Sequence, residues 1–301
     1  MFDYDECRKD EFVQGATIAC QGVEGAYSQM AADHLFSDSE IMYMRTFDGV
    51  FRAVESGLAR YGILPIENSS AGSVTGVYDL MKQYRFFIAR SVKMPISHTL
   101  LARQRIAVAD LVKVYTHEQA IKQCGDFLEK HPHIEIRECA NTAKAAELVA
   151  QSDDPGIGAI ASESCADLYN LTVLKRNIQN SKNNYTRFIC ISKECEIYDG
   201  ADRVGLMLTL EHKAGSLYQV IKEFAESGFN LLKLESRPIA DTDFEFMFYF
   251  DIEATVGDPA LRALLERLEE KSRQLVFLGN YQEVVIDDSY TISSEELPLS
   301  G

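Results

Sequence analysis

The chain has 301 residues, 46% of them hydrophobic and 25% charged, with 30 Lys and Arg against 46 Asp and Glu and hence a net charge of −16. That length is too great for one ordinary core and predicts two or three globular domains. The negative field argues against nucleic acid or an anionic membrane surface as partner, and no apolar run reaches the roughly 18 residues of a membrane helix.

The first stretch, MFDYDECRKDEFVQG, is polar and acidic. It reads as no signal peptide, so a cytoplasmic protein is expected. After a leader over residues 1–16, TIAC predicts a strand, YSQMAADHLF a helix, EIMYM a strand, FDGVFRAVESG a helix and YGILPI a strand. The same alternation returns with LVKVYT, EQAIKQCGDFLEKH, IEIRE, TAKAAELVA and IGAIA, and TRFICIS adds a late strand. Such alternation predicts α/β lobes with mainly parallel sheets. The late strand is what a chain returning to its first lobe would show, giving lobes of about residues 17–92 plus 173–197, and 93–172. A cleft between two lobes is a usual place for a small ligand. YDGADR then reads as a linker, and residues 203–285 follow the order β-α-β-β-α-β, which is ferredoxin-like, with Pro259 opening the second helix. Residues 286–301 are acidic and unpatterned and predict a disordered tail.

Chemistry-bearing residues gather at the ends of these elements. In CQGVEGAYS, two glycines and Ser28 open the first helix, where free N–H groups suit a carboxylate or phosphate; an ordinary turn with a capping serine fits equally well. In PIENSS, Glu67, Asn68 and Ser69 follow a strand, either as a ligand site at its carboxyl end or as turn caps. YTHEQAIKQC sets Thr116 and His117 at a strand end and puts Gln119 and Gln123 on one helical face. His117 could serve as a base, though a capping histidine is commoner. Thr142 is placed to cap the next helix. In NNYTRF, Thr186 offers a hydroxyl beside the Arg187 guanidinium, a carboxylate clamp that would answer the repulsion between this acidic chain and an anionic substrate. Strand alternation turns only one of the two toward a cleft unless the strand starts irregularly. Further on, Gly215 precedes a helix, and Glu235 with Arg237 could recognise a zwitterion. The seven cysteines contain no C-x-x-C, and neither they nor HPH at 131–133 has metal-ligand spacing, so no metal is expected.

The segments GVEGAYSQMAA, LPIENSSAGSV, THEQAIKQC, NTAKAA, AIASESCADLYNL and NNYTRF together resemble prephenate dehydratase over residues 17–192, and KAGSLYQV with ESRP resembles the phenylalanine-sensing ACT domain of that family. The resemblance implies a two-lobed α/β catalytic domain of the periplasmic-binding-protein kind over residues 17–197, followed by a ferredoxin-like ACT domain over 203–285. It implies loss of carbon dioxide and water from prephenate to give phenylpyruvate, without cofactor. Thr186 would be the essential hydroxyl, with Glu67 and Asn68 catalytic beside it. Ser28, Ser69, Thr116, Gln123, Thr142, Arg187 and Phe188 would surround the substrate, Arg187 anchoring a carboxylate. Phenylalanine would inhibit from a site between subunits of a homodimer or homotetramer, lined by Ala214, Gly215, Ser216, Leu217, Asn230, Leu231, Glu235, Ser236 and Arg237. Where relatives often have serine, an acidic residue and a hydroxyl residue, this chain has Thr116, Asn180 and Leu232. The leader is too short for the chorismate mutase domain that precedes many bacterial relatives. Arogenate dehydratase, a non-catalytic sensor of aromatic acids and a decarboxylase that keeps the ring hydroxyl are the alternatives.

Overall fold

The computed structural model describes Tyr4, residues 6–239 and residues 246–287. The proposed acidic tail beyond 287 lies outside the described residues. The first lobe runs through β1 (Thr17–Gln21), α1 (Tyr27–Leu35), β2 (Glu40–Met44), α2 (Phe47–Glu55), β3 (Tyr61–Asn68), β4 (Gly72–Ser73), α3 (Thr75–Tyr84) and β5 (Phe87–Pro95). The second holds β6 (Thr99–Ala102), β7 (Lys113–Thr116), α4 (Glu118–Gln123), α5 (Gly125–Glu129), β8 (Glu135–Glu138), α6 (Thr142–Gln151), β9 (Ile157–Ala161), α7 (Ser164–Leu168) and β10 (Thr172–Lys175). The chain then returns as β11 (Tyr185–Ser192) between β3 and β5.

Both sheets are mixed. β1 pairs in parallel with β2 and β3, as β7 does with β8 and β9, but β11 is antiparallel to β3 and β5. The reason is directional: β3 ends at the cleft, and β11 starts there after the second crossover. The helix expected over EQAIKQCGDFLEKH is two short helices that meet at Cys124. Asn180 makes the break, donating its N–H to the Gln123 carbonyl at 2.7 Å and accepting the Asp126 N–H on its side chain at 3.0 Å.

A third unit is built from β12 (Arg203–Thr209), α8 (Ser216–Glu226), β13 (Leu231–Pro238), β14 (Phe246–Glu253), α9 (Pro259–Lys271) and β15 (Gln274–Tyr281), with antiparallel order β13-β14-β12-β15. Asp258 caps α9 ahead of Pro259, accepting from Ala260 N–H at 2.8 Å. This is the ferredoxin-like arrangement. One face of its sheet packs Leu206, Leu208, Phe250 and Phe277 under the two helices. The other face sends Met207, Met247, Tyr249 and Leu278 into a core shared with Ile66, Val77, Ile88 and Ile189 of the first lobe. The last strand, β16 (Glu283–Val285), leaves this unit and pairs in parallel with β5 at the edge of the first-lobe sheet. No helix among the described residues is long and apolar enough to cross a membrane.

Contact between β15 and β5 depends on Gly279. Its φ is +145°, and a Cβ there would collide with the backbone oxygen of Ile88. Gly279→Ala is therefore expected to destabilise the protein by about 1–3 kcal/mol. A lowered denaturation midpoint would show it; an unchanged midpoint would mean that the two strands separate without cost.

Candidate active site

A cleft of about 610 Å³ lies between the lobes, beside the carboxyl end of β3 and the start of β11. Its wall is assembled from helix starts. Tyr27 and Ser28 open α1, which has no side-chain cap. Phe47 opens α2 and Val74 precedes α3. Asn141 and Thr142 begin α6, where Asn141 rather than Thr142 is the cap, accepting from Lys144 N–H at 2.7 Å. His117 also lines the cleft and caps α4 through Nδ1, the bland role weighed for it. Pro65, Ile96 and Phe188 add an apolar bed. None of the described lining residues is Lys, Arg, Asp or Glu. Any positive potential at this lining must therefore come from N–H groups and helix starts, not from side-chain charge.

Thr186 and Asn68 are register partners on β11 and β3, and both face the cleft. The Oδ1 of Asn68 accepts the backbone N–H groups of Ser70 and Ala71 at 3.0 and 2.9 Å, so its Nδ2 is turned toward Thr186 Oγ1, 2.9 Å away. Asn68 thereby donates to the threonine oxygen and leaves the hydroxyl hydrogen to serve as a donor. Nδ2 of Asn68 also meets Asn184 Oδ1 at 2.9 Å, and Gln123 Nε2 reaches the same oxygen at 3.2 Å.

The structure brings Ser28, Asn68, Gln123, Thr142, Thr186 and Phe188 together around the cleft. It does not bring Glu67, Ser69, Thr116 or Arg187 there. The Thr116 hydroxyl is fully buried and donates to the Ile160 carbonyl at 2.8 Å, tying β7 to β9. Ser69 Oγ accepts from Tyr185 N–H and donates to Asn183 O, both at 2.9 Å, latching the two strand ends outside the cavity. Glu67 and Arg187 are also register partners, one residue along, and alternation turns both to the opposite face of the sheet, against the ferredoxin-like unit. There Glu67 accepts from Lys233 Nζ at 2.6 Å.

Arg187 enters a buried charge cluster. It donates to Asp251 and, at 2.9 Å, to the Tyr281 hydroxyl; its Nε lies 2.6 Å from Glu283, which also pairs with Arg203 at 2.8 Å. Burial opposes its charge, yet Tyr281, Asp251 and Glu283 hold its pKa well above the ordinary arginine value. This is a joint between units. Arg187 is not placed to clamp a carboxylate in the cleft.

Sequence reasoning passed over His98. It sits in the short crossover between β5 and β6, is 2% exposed, lines the cleft, and meets Gln123 Oε1 through Nε2 at 2.8 Å. The available signal was a lone imidazole between two apolar runs in MPISHTLL. Burial, partly countered by the bond to Gln123, lowers its pKa below the ordinary 6.5. The folded protein thus resists a proton that the unfolded chain accepts near 6.5. The stability held at neutral pH is lost as pH falls from there toward the lower folded value. The urea midpoint is expected to drop between pH 7.5 and 5.5, and to drop less in His98→Gln; equal slopes would remove His98 from the effect. Among the described residues, no three His, Cys, Asp or Glu side chains gather where they could hold a metal ion.

The sequence over residues 18–196 matches the family described as prephenate dehydratase. A bifunctional chorismate mutase/prephenate dehydratase of Enterobacter agglomerans is 34% identical over 273 residues, 88% of this chain and 70% of that protein. Arogenate dehydratase/prephenate dehydratase 2 of Arabidopsis thaliana, a chloroplastic protein, is 35% identical over 277 residues, 88% of this chain and 72% of that one. The crystal structure of prephenate dehydratase from Arthrobacter aurescens in complex with L-Phe superposes with a TM-score of 0.80 at 28% identity, covering 88% of this chain and 89% of that one. With a match over most of the two lobes and identities of this size in long alignments, the chain belongs to the prephenate dehydratase family.

Proposed function

We propose that this protein is a cytoplasmic prephenate dehydratase in which the Thr186 hydroxyl donates to the departing ring hydroxyl. Breaking the bond to the ring carboxyl group sends its electron pair into the ring, and the hydroxyl leaves with a proton. Each turnover yields phenylpyruvate, carbon dioxide and water and takes up one proton. The observation that carries the reading is the pinned amide of Asn68, which fixes Thr186 as a donor at the cleft surface. The absence of Lys and Arg from the described lining supports it further. A cation would hold the ring carboxylate in the ground state, whereas the transition state spreads that charge into the ring. Neutral N–H groups and the hydroxyls of Ser28 and Thr142 serve to bind the dianion.

The same lining bears on arogenate, whose ammonium group would find no Asp or Glu there. Turnover of the two substrates should be compared, following phenylpyruvate from prephenate and phenylalanine from arogenate. Faster use of arogenate would overturn the preference, and no turnover of either would overturn the activity.

The ferredoxin-like unit, residues 203–285, is proposed to be a regulatory ACT domain that binds phenylalanine. The turn Ala214–Leu217 borders a pocket of about 100 Å³ lined by Leu210, Phe246 and Phe248, and the buried Ser216 Oγ there meets no hydrogen-bond partner among the described residues. Within one chain Asn230 and this turn lie at opposite ends of the sheet, so a site using both requires a second subunit. The edge strand β13 exposes Leu232, Leu234 and Ser236 for such pairing. Glu235 and Arg237 instead face the first lobe of their own chain, accepting from Ser73 at 2.6 Å and pairing with Asp79 at 2.9 Å. We therefore assign effector contacts to Ala214, Gly215, Ser216, Leu217 and the partner's Asn230 and Leu231, and interdomain contacts to Glu235 and Arg237. Gly215, at φ +87°, tolerates no side chain without strain. Gly215→Val is expected to abolish phenylalanine binding in calorimetry and the inhibition that goes with it. Persistence of both would remove the assignment.

A further inference from the structure

Behind Thr186 runs a chain of hydrogen bonds whose direction is fixed at its backbone end. Asn68 Oδ1 is committed to two backbone donors, so Asn68 Nδ2 donates and Asn184 Oδ1 accepts. The Asn184 amide nitrogen correspondingly donates to the Ile96 carbonyl at 3.3 Å. Gln123 approaches the Asn184 and Asn68 oxygens through Nε2, so that nitrogen donates and Gln123 Oε1 must be met by a donor. The donor is His98 Nε2. We infer that His98, bearing its hydrogen on Nε2, is a positioning residue that holds Gln123 of the second lobe against Asn68 and Asn184 of the first and so steadies the amide pair behind the Thr186 hydroxyl.

Three observations carry this. The ring is buried to 2% exposure, which keeps it neutral and gives it a single N–H to place. That N–H goes to Gln123, while Nδ1 meets no hydrogen-bond partner among the described residues. Finally, His98 and Asn184 belong to the two segments that cross between lobes, with Ile178 N–H bound to the His98 carbonyl at 3.0 Å. The chain thus spans both crossovers at the floor of the cleft, where a shift of one lobe would otherwise move Gln123 relative to Asn68 and Asn184.

The inference rests on Thr186 acting as donor in prephenate turnover, and its test has one arm that does not need turnover. In protein labelled with nitrogen-15 at histidine, NMR of the resting enzyme should show His98 Nε2 protonated and Nδ1 unprotonated at neutral pH. The reverse tautomer would overturn the inference whatever the substrate proves to be. In the second arm, His98→Leu, which fills the space but has no donor, should lower kcat by about 10- to 100-fold, the cost of a small misplacement, with KM little changed. His98→Gln, whose amide can reach Gln123 Oε1, should recover most of that loss. Wild-type kcat in His98→Leu, or His98→Gln as slow as His98→Leu, would overturn it. Should His98→Leu fail to fold, the tautomer and the kcat of His98→Gln against wild type decide. Inactivity of the wild-type enzyme on both candidate substrates would reject the proposed function, and the tautomer would still stand or fall on its own.

Discussion

Replacing Thr186 by alanine should lower turnover of prephenate by about 100- to 10,000-fold, the usual loss when a positioned proton donor is removed. The fold should survive. Thr186 is 8% exposed at the cleft wall, and after its removal Asn68 Nδ2 keeps two acceptors, Asn184 Oδ1 at 2.9 Å and the Tyr185 carbonyl at 3.1 Å. No buried amide is stranded, so the thermal midpoint should change little while kcat collapses. Thr186→Ser keeps the oxygen that Asn68 addresses and should retain much of the rate. Near wild-type turnover in purified Thr186→Ala would exclude the hydroxyl from the chemistry. Loss of folding in the same variant would show that it serves the structure instead.

Arg187→Met is expected to act on stability, with a loss of about 3–5 kcal/mol, because removing one member of a buried ionic group leaves its partners charged and unpaired. Asp251 and Glu283 are those partners; Asp251 keeps the Tyr281 hydroxyl at 2.6 Å, and Glu283 keeps Arg203 at 2.8 Å and the Ser91 hydroxyl at 3.4 Å, but each loses the Arg187 guanidinium. Arg187→Lys should fall between, since one ammonium cannot address Asp251, Glu283 and the Tyr281 hydroxyl in three directions as a guanidinium does. At temperatures where Arg187→Met remains folded, its KM for prephenate should match wild type. A normal melting curve with a KM raised tenfold or more would return Arg187 to the cleft and sink the present placement.

The contrast between these neighbours shows what was readable in the sequence. Strand period and the proximity of hydroxyl and guanidinium were legible, and alternation required that Thr186 and Arg187 part company. Which of them met the cleft was not legible, because the groups behind the strand, Asp251 and Glu283, come from distant parts of the chain. Thr116 looked like a ligand group for the same reason: local sequence cannot reveal that the Ile160 carbonyl waits across the sheet. The ferredoxin-like order was legible because each of its elements is long and periodic. β4 and β16, with two and three residues, carry no period to read and exist through their partners alone. His98 stayed hidden because a single imidazole between apolar runs is usually core. The role of Asn180 emerged only with the break at Cys124 that it stabilises.

β16 gives the ferredoxin-like unit a mechanical character. A domain hung from one linker can swivel freely, and a signal arriving there has no lever on the rest of the molecule. Here the chain enters that unit after β11 and comes back as β16 into the same sheet, beside β5, carrying Glu283 to the Arg187 joint. Two anchor points on one sheet, together with the shared core of Met207, Met247, Tyr249 and Leu278, hold the unit against the first lobe. A movement imposed at the exposed edge of β13 is passed on through Lys233 and Glu235 to Glu67 at the end of β3 and Ser73 on β4. Cutting the chain between Tyr281 and Glu283 would remove one of those anchors and loosen the Glu283 contact with Arg187. If the unit senses phenylalanine as proposed, such a protein should bind it with a weakened effect on turnover.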